Sequence, residues 1–236
     1  MSFELSVVML CYGSGSRIHT FADKVAGLLD SSVPSWEMVL VGNYFEHSKD
    51  DTPRIVKEIA SKRKNVKAVT LPKEGMMGWD ARTGMDAASG KFICLIDGDE
   101  QMPPEDIIRV YKKIKDEKLD FVKTYRIKRH DSFVRRANSL IYNMIFALLF
   151  PGINVRDANS KPKIFTREAY RKMALVSDDW FIDAEMIIRA RKLRLKVGEV
   201  ATEFFKNRYR KSYVKIDAVF EFIKNLILAR MREFLK

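Results

Sequence analysis

Short apolar runs alternate with amphipathic stretches over the first half of the chain. The runs have the length of buried strands, about four to eight residues, and cover residues 5–12, 37–42, 66–71, 91–97 and 120–125. The stretches between them have helical spacing and cover residues 21–31, 52–63, 78–89 and 103–118. Such alternation is typical of a doubly wound, mostly parallel sheet flanked by helices. We therefore predict an α/β fold.

The alternation stops after residue 125, where the chain becomes first basic and then apolar. Residues 126–136 carry five arginines and lysines against one aspartate, and residues 137–153 carry no charge. A helix of this kind either packs against the domain or lies on an anionic membrane surface. Both interpretations of segment 126–153 stay open at this point.

The last stretch, residues 213–236, has apolar residues at steps of three and four and a basic polar side. This pattern predicts an amphipathic helix. Such a helix would lie on the membrane, bind a membrane partner protein or pack on the sheet. The longest apolar stretch, residues 140–150, is shorter than the roughly 20 residues that cross a bilayer.

The net charge of +12 indicates an anionic partner such as a nucleotide or a membrane surface. The basic residues do not form a known nucleic-acid motif, so we expect no nucleic acid partner. Cys11 and Cys94 lie in apolar strand-like runs, which favours a reducing compartment over a disulfide. These features predict a cytoplasmic protein, peripheral on the cytoplasmic face of a membrane.

A cluster of polar side chains follows the fourth predicted strand. Asp97, Asp99, Glu100 and Gln101 stand within five positions, at the strand end where open α/β sheets bind ligands. Oxygen ligands of this kind suit Mg²⁺ or Mn²⁺. An extended chain would hold Asp97 and Gln101 too far apart for one ion. Either the chain bends at Gly98, or Asp99 and Gln101 bind metal while Asp97 binds sugar or nucleotide, and we favour the division. The alternative is an exposed Asp-Gly turn.

The segment "LIDGDEQMPPEDI" resembles the DxD-type motif of family 2 glycosyltransferases, in the DxDxQ form of the polyprenyl-phosphate (dolichyl-phosphate) sugar synthases. Four further segments resemble that family in the same order: the glycine-punctuated residues 74–92, then residues 156–165, 180–190 and 207–213. The resemblance implies a GT-A fold, here over residues 1–212. It also implies a glycosyltransferase that uses a nucleoside diphosphate sugar and a divalent metal ion.

The resemblance implies specific roles for residues of this chain. Asp97 and Asp99 would be catalytic, and Asp99 and Gln101 would bind the metal. The nucleotide sugar, a UDP- or GDP-sugar, would contact a set spread over the chain: Tyr12, Asn43, Gly75, Asp97, Arg208 and Ser212. Two departures leave the nucleotide base open. Asn43 stands where the family carries an aspartate pair. The loop at residues 207–213 lacks the glycine that the family usually carries there.

The family also implies a polyprenyl phosphate acceptor, held by Arg126, Arg135 and Ser139. A phosphate oxyanion is already a nucleophile and needs no strong base. A saccharide hydroxyl would need one, and Asp183 is the candidate catalytic base for that alternative. A nucleotidyltransferase, or a basic membrane- or nucleic-acid-binding module without enzymatic activity, are the remaining alternatives.

Overall fold

The computed structural model describes residues 3–130, 133–152, 155–205 and 224–231, with side chains except at 129 and 133–138. The strands are β1 (Leu5–Leu10), β2 (Trp36–Val41), β3 (Val66–Val69), β4 (Phe92–Asp97), β5 (Phe121–Arg129), β6 (Lys163–Thr166) and β7 (Val197–Phe204). The helices are α1 (Ile18–Ser32), α2 (Thr52–Ser61), α3 (Met77–Ala87), α4 (Glu105–Asp116), α5 (Phe133–Leu149), α6 (Arg167–Met173) and α7 (Ile182–Lys192). Residues 224–231 are also helical.

The seven strands form one sheet in the order β3-β2-β1-β4-β6-β5-β7. Among the described strands, β6 alone runs antiparallel to its neighbours β4 and β5, while β1, β2, β3 and β4 pair in parallel and β5 pairs in parallel with β7. The carboxyl ends of six strands therefore share one edge. The predicted α/β fold with a mostly parallel sheet is confirmed, and β6 and β7 are additions that the pattern did not predict.

Helices cover both faces of the sheet. The core on one face contains side chains of α1, α2 and α4, and the core on the other contains side chains of α3, α5, α6 and α7. Val7 and Val8 of β1 are both fully buried, although successive side chains of a strand point to opposite faces. Burial on both faces explains why the strands appear in the sequence as continuous apolar runs.

Helix α5 contains most of the apolar segment for which the sequence allowed either packing against the domain or contact with a membrane. It begins at Phe133 and ends at Leu149, four residues before the end of the apolar stretch. In the described parts of the chain, no helix has both the length and the hydropathy to cross a bilayer.

Candidate active site

The chain turns sharply where it leaves β4. The backbone N–H of Gly98 donates to the carbonyl of Leu10, at the end of the neighbouring strand β1, over 2.8 Å. Glu100 takes a left-handed conformation with φ of 59°, and the N–H of Gln101 donates to the Asp99 carboxylate over 3.2 Å. The chain therefore bends after β4 instead of continuing extended, and the favoured division, with Asp99 and Gln101 on metal and Asp97 on sugar or nucleotide, stays a prediction.

Gln101 ties this turn to the end of β7. Its side-chain Nε2 donates to the carbonyl of Phe205 over 2.9 Å, and the N–H of Phe205 donates to the Gln101 carbonyl over 2.8 Å. The ring of Phe205 also stacks on His130, with centroids 5.9 Å apart. The segment after residue 205 therefore starts beside the DxDxQ turn. The nucleotide residues predicted on that segment, Arg208 and Ser212, lie outside the described residues.

Asp99 and Gln101 fit a divalent cation that is shared with a substrate. Asp99 is half-buried at the ligand edge of the sheet. The hydrogen bond from Nε2 to the Phe205 carbonyl fixes the orientation of the Gln101 amide, and Oε1 is the atom that could bind a metal. Within the described ranges, no cluster of three or more His, Cys, Asp or Glu residues could hold a metal by itself. Mg²⁺ and Mn²⁺ commonly take one or two protein ligands and complete their shell with phosphate oxygens and water.

Two buried lysines contact Asp183, and one of them, Lys161, also contacts Asp97. The Nζ of Lys161 lies 3.5 Å from Asp97 and 3.1 Å from Asp183, and the Nζ of Lys163 lies 2.5 Å from Asp183. The two lysine side chains are 3% and 0% exposed, and Asp97 is 33% exposed. Both lysines stand in "SKPKIF", which opens β6. Sequence reasoning missed them because lysines beside an asparagine, a serine and a proline usually indicate an exposed loop.

The contacts of Asp183 argue against its predicted role as a general base. Each of its carboxylate oxygens accepts a hydrogen bond from one lysine, and its side chain is only 4% exposed. Burial opposes the charged form, but the attraction of Lys161 and Lys163 outweighs it and lowers the pKa of Asp183. A carboxylate with a lowered pKa is a weaker base, and a buried one is out of reach of an acceptor.

Asn43, predicted to meet the nucleotide, uses its whole side chain inside the protein. Its amide nitrogen donates to Asp80 and to Thr83 over 3.0 Å each, and its oxygen accepts from the N–H of Leu71 over 2.8 Å. It is fully buried. Asn43 therefore joins the ends of β2 and β3 to α3, and its burial and three hydrogen bonds argue against contact with a base.

Tyr12, by contrast, lies in an aromatic cluster at the ligand edge of the sheet. Its ring packs edge-on against Phe45 with centroids 6.0 Å apart, and the Nζ of Lys73 lies 4.5 Å from its centroid. Lys73 in turn pairs with Asp80. Phe45 is 40% exposed, so this cluster presents an aromatic surface at the predicted nucleotide position.

Gly75, another predicted nucleotide contact, is explained by packing. A Cβ atom built there would lie 2.7 Å from the carbonyl oxygen of Asp178. The same carbonyl accepts the N–H of Met76 over 2.7 Å. The close approach of segment 178–179 to the start of α3 therefore requires glycine at this position, and a nucleotide contact at Gly75 stays a prediction.

Arg126, predicted to hold acceptor phosphate, is engaged by Asp157. Its Nε and Nη2 donate to the two carboxylate oxygens over 2.6 and 2.8 Å, and both side chains are 9% exposed. Burial opposes ionisation of Asp157, yet Arg126 lowers its pKa to about 2. These contacts argue against phosphate binding by Arg126. Ser139 is half-buried on α5, and the side chain of Arg135 lies outside the described residues.

Helix α5 has two apolar faces. Tyr142 and Phe146 are buried in the core, while four apolar side chains on the other side are exposed: Leu140 (64%), Ile141 (51%), Met144 (63%) and Leu148 (81%). Helical residues 224–231 repeat the arrangement, with Leu226 buried and Ile227, Leu228 and Met231 exposed. Neither of the two predicted interpretations of the segment is complete, because α5 packs on the domain and also presents an apolar surface.

The sequence model of glycosyl transferase family 2 matches residues 6–176 of the 236. This chain belongs to glycosyl transferase family 2. The match includes β1 to β6, the DxDxQ turn and the Lys161–Lys163 segment. The resemblance to family 2 drawn from the sequence is thereby confirmed.

Curated relatives of this family 2 chain bear the names of lipid-phosphate sugar transferases. A dolichyl-phosphate beta-glucosyltransferase of Trichomonas vaginalis is 25% identical over 82% of this chain and 61% of its own length. One of Dictyostelium discoideum is 25% identical, with 85% and 66% covered. A dodecaprenyl-phosphate galacturonate synthase of Rhizobium johnstonii is 25% identical, with 75% and 52% covered. The chain thus spans about half to two thirds of these relatives.

Solved structures support the GT-A fold. Glucosyl-3-phosphoglycerate synthase from Mycobacterium tuberculosis, in complex with Mn²⁺, UDP-glucose and phosphoglyceric acid, superimposes with a TM-score of 0.72. The match covers 97% of this chain and 79% of that one at 19% identity. At this low identity, the superposition shows that this family 2 member shares its fold with the synthase, and shows no more than the fold.

Proposed function

We propose that this family 2 glycosyltransferase moves a sugar from a nucleoside diphosphate sugar to a polyprenyl phosphate at a membrane surface. The observation that carries the proposal is the exposed apolar face of α5, a helix whose opposite face packs in the same core as the start of α7. Asn143 of α5 accepts the N–H of Ala158 over 3.1 Å, and the nearby charge of Asp183 contributes to a raised pKa of Tyr142, which is due mainly to burial. Asp183 connects to Asp97 through Lys161. The buried face of α5 is thus near Asp183, and we infer that the exposed apolar face of the same helix receives the lipid.

The donor half of the proposal, which concerns binding of the nucleoside diphosphate sugar, rests on the turn after β4. Asp99 and Gln101 would hold Mg²⁺ or Mn²⁺ on the diphosphate, and Asp97 would contact the sugar or nucleotide. The ion, when bound, neutralises the charge that builds on the departing nucleoside diphosphate. Tyr12, Arg208 and Ser212 remain proposed nucleotide contacts. UDP-sugars are the first donors to test, because glucosyl-3-phosphoglycerate synthase has been solved with UDP-glucose, and GDP-sugars are the second.

The acceptor half rests on α5. Arg135 and Ser139 are four positions apart and therefore on one side of the helix, which suits two contacts to one phosphate group. Relatives named for dolichyl- and dodecaprenyl-phosphate substrates support a polyprenyl phosphate acceptor. This acceptor needs no general base, which agrees with the engagement of Asp183 by two lysines. Transfer to a saccharide hydroxyl would need a base, and this observation does not favour it.

Nucleotide binding tests the donor half. We expect UDP or GDP to raise the thermal unfolding midpoint of the protein in the presence of Mn²⁺, by mass action on the folded state. Removing Mn²⁺ with a chelator should abolish most of that shift. The variant Asp99→Asn should unfold at the wild-type midpoint without ligand but lose the part of the shift that depends on Mn²⁺. If no nucleotide shifts the wild type with either metal, the donor half is wrong.

A further inference from the structure

Lys161 joins three elements that border the donor site. Its ammonium group lies 3.5 Å from Asp97 at the end of β4, 3.1 Å from Asp183 at the start of α7, and 3.4 Å from the sulfur of Met77 at the start of α3. An ammonium group has three N–H donors. Lys161 donates hydrogen bonds to Asp183 and Met77 and forms an ion pair with Asp97, so the protein engages its ammonium group on three sides.

We propose that Lys161 is a positioning residue that fixes the carboxylate of Asp97 for the donor. The inference rests on the proposed function, in which Asp97 contacts the sugar or nucleotide. Lys161 acts through Asp97 and touches no substrate itself.

The exposed fractions of the side chains indicate that the buried residues position Asp97, and not the reverse. Lys161, Lys163 and Asp183 are each 4% exposed or less, whereas Asp97 is 33% exposed. The buried ion pairs therefore end at one carboxylate that reaches the ligand edge of the sheet. Two ammonium groups face two carboxylates, so the cluster is balanced, and its rigid buried part holds the exposed end in place. Loss of the Lys161 charge would leave Asp183 paired with Lys163 alone. The Asp97 side chain would then populate other rotamers.

Lys123 offers a matched control on the neighbouring strand. Its side chain is 0% exposed, and its ammonium donates to the carbonyl of Thr124 over 2.7 Å and to Glu199 over 3.1 Å. It is paired with Lys163 across β5 and β6. Lys123→Met thus removes an equally buried charge from the same region, without removing a contact to Asp97.

Calorimetric titration of the full chain with UDP-glucose or a GDP-sugar, in the presence of Mn²⁺, tests the inference. Lys161→Met should weaken binding by about tenfold, which corresponds to about 1.4 kcal/mol. Lys161→Arg, which keeps a charge, should bind about threefold more weakly than the wild type and so recover about half of that free energy. Lys123→Met should lower the unfolding midpoint as much as Lys161→Met does but keep donor affinity within about twofold.

A double-mutant cycle separates positioning from general destabilisation. If Lys161 acts through Asp97, then Lys161→Met should weaken binding little further once Asp97→Asn is present, because contacting residues couple. If Lys161→Met does not fold, the cycle is run with Lys161→Arg, which should bind about threefold more weakly than the wild type and lose that effect beside Asp97→Asn. Additive losses, or an equal loss of affinity in Lys123→Met, overturn the inference alone. A wild type that binds no nucleotide sugar overturns the proposed function and the inference with it.

Discussion

Replacing exposed leucines of α5 should detach the protein from membranes. Leu140 and Leu148 stand two turns apart and are 64% and 81% exposed, so neither contributes much to the core. We expect the double variant Leu140→Ser/Leu148→Ser to fold like the wild type and to lose most of its affinity for lipid vesicles. The effect isolates the apolar part of membrane binding, because no charge changes.

The expected magnitude follows from the exposed fractions. Burying a leucine side chain completely is worth about 1.5–3 kcal/mol. Scaled by the exposures of Leu140 and Leu148, each contributes about 1–2 kcal/mol when the helix enters the lipid surface. The two together contribute about 3 kcal/mol, which is about a hundredfold in the partition coefficient.

Cosedimentation with vesicles of mixed neutral and anionic lipid measures this effect. The assay is run at about 0.15 M salt, where the Debye length is about 8 Å, so that the electrostatic attraction of the basic chain is partly screened. Val176→Ser is the matched control, because Val176 is 63% exposed and lies outside α5. If the double variant sediments like the wild type, or if Val176→Ser loses as much, then α5 is not the lipid-binding surface.

Three further predictions concern the site. Asp99→Asn should lower turnover about a hundredfold to a thousandfold by removing one charge-stabilising ligand, whereas Glu100→Gln, an exposed neighbour, should not; equal losses would move the metal site elsewhere. Arg135→Ala should raise the acceptor KM about tenfold through loss of a charge-assisted hydrogen bond, with nucleotide affinity unchanged in titration. Because the pKa of Asp157 falls from 3.8 to about 2 in the folded state, its contribution of about 2 kcal/mol is present above pH 4 and lost as the pH falls through about 2. Denaturant unfolding of Asp157→Asn should lack this component, and an unchanged acid dependence would refute the assignment.

The sheet and the place of the ligand edge could be predicted from the sequence because they depend on local pattern. β1 and β4 are apolar except for Ser6 and the terminal Asp97, since both faces of these strands are buried. β6 was not predicted because it is four residues long and begins with Lys163. A lysine usually indicates a surface position. Lys163 is buried only because Asp183, twenty positions later, supplies a carboxylate.

The partners of the predicted site residues could not be predicted for the same reason. Asn43 stands after a strand, where a ligand contact was expected, but Asp80 and Thr83 engage it from 37 and 40 positions away. Arg126 is engaged by Asp157 from 31 positions away. Resemblance to a family gives the position of a residue along the chain. It does not give the partners that the fold brings to that residue.

Product analysis tests the central claim most directly. The full chain is incubated with Mn²⁺, a radiolabelled UDP- or GDP-sugar and vesicles that contain a polyprenyl phosphate, and the lipid extract is separated from the aqueous phase. We predict label in the lipid phase as a polyprenyl-phosphate sugar. Its formation should require both the lipid phosphate and Mn²⁺, and it should fall sharply in Asp99→Asn. Label transferred to an added saccharide, with none in lipid for any donor that the protein binds, would contradict the account.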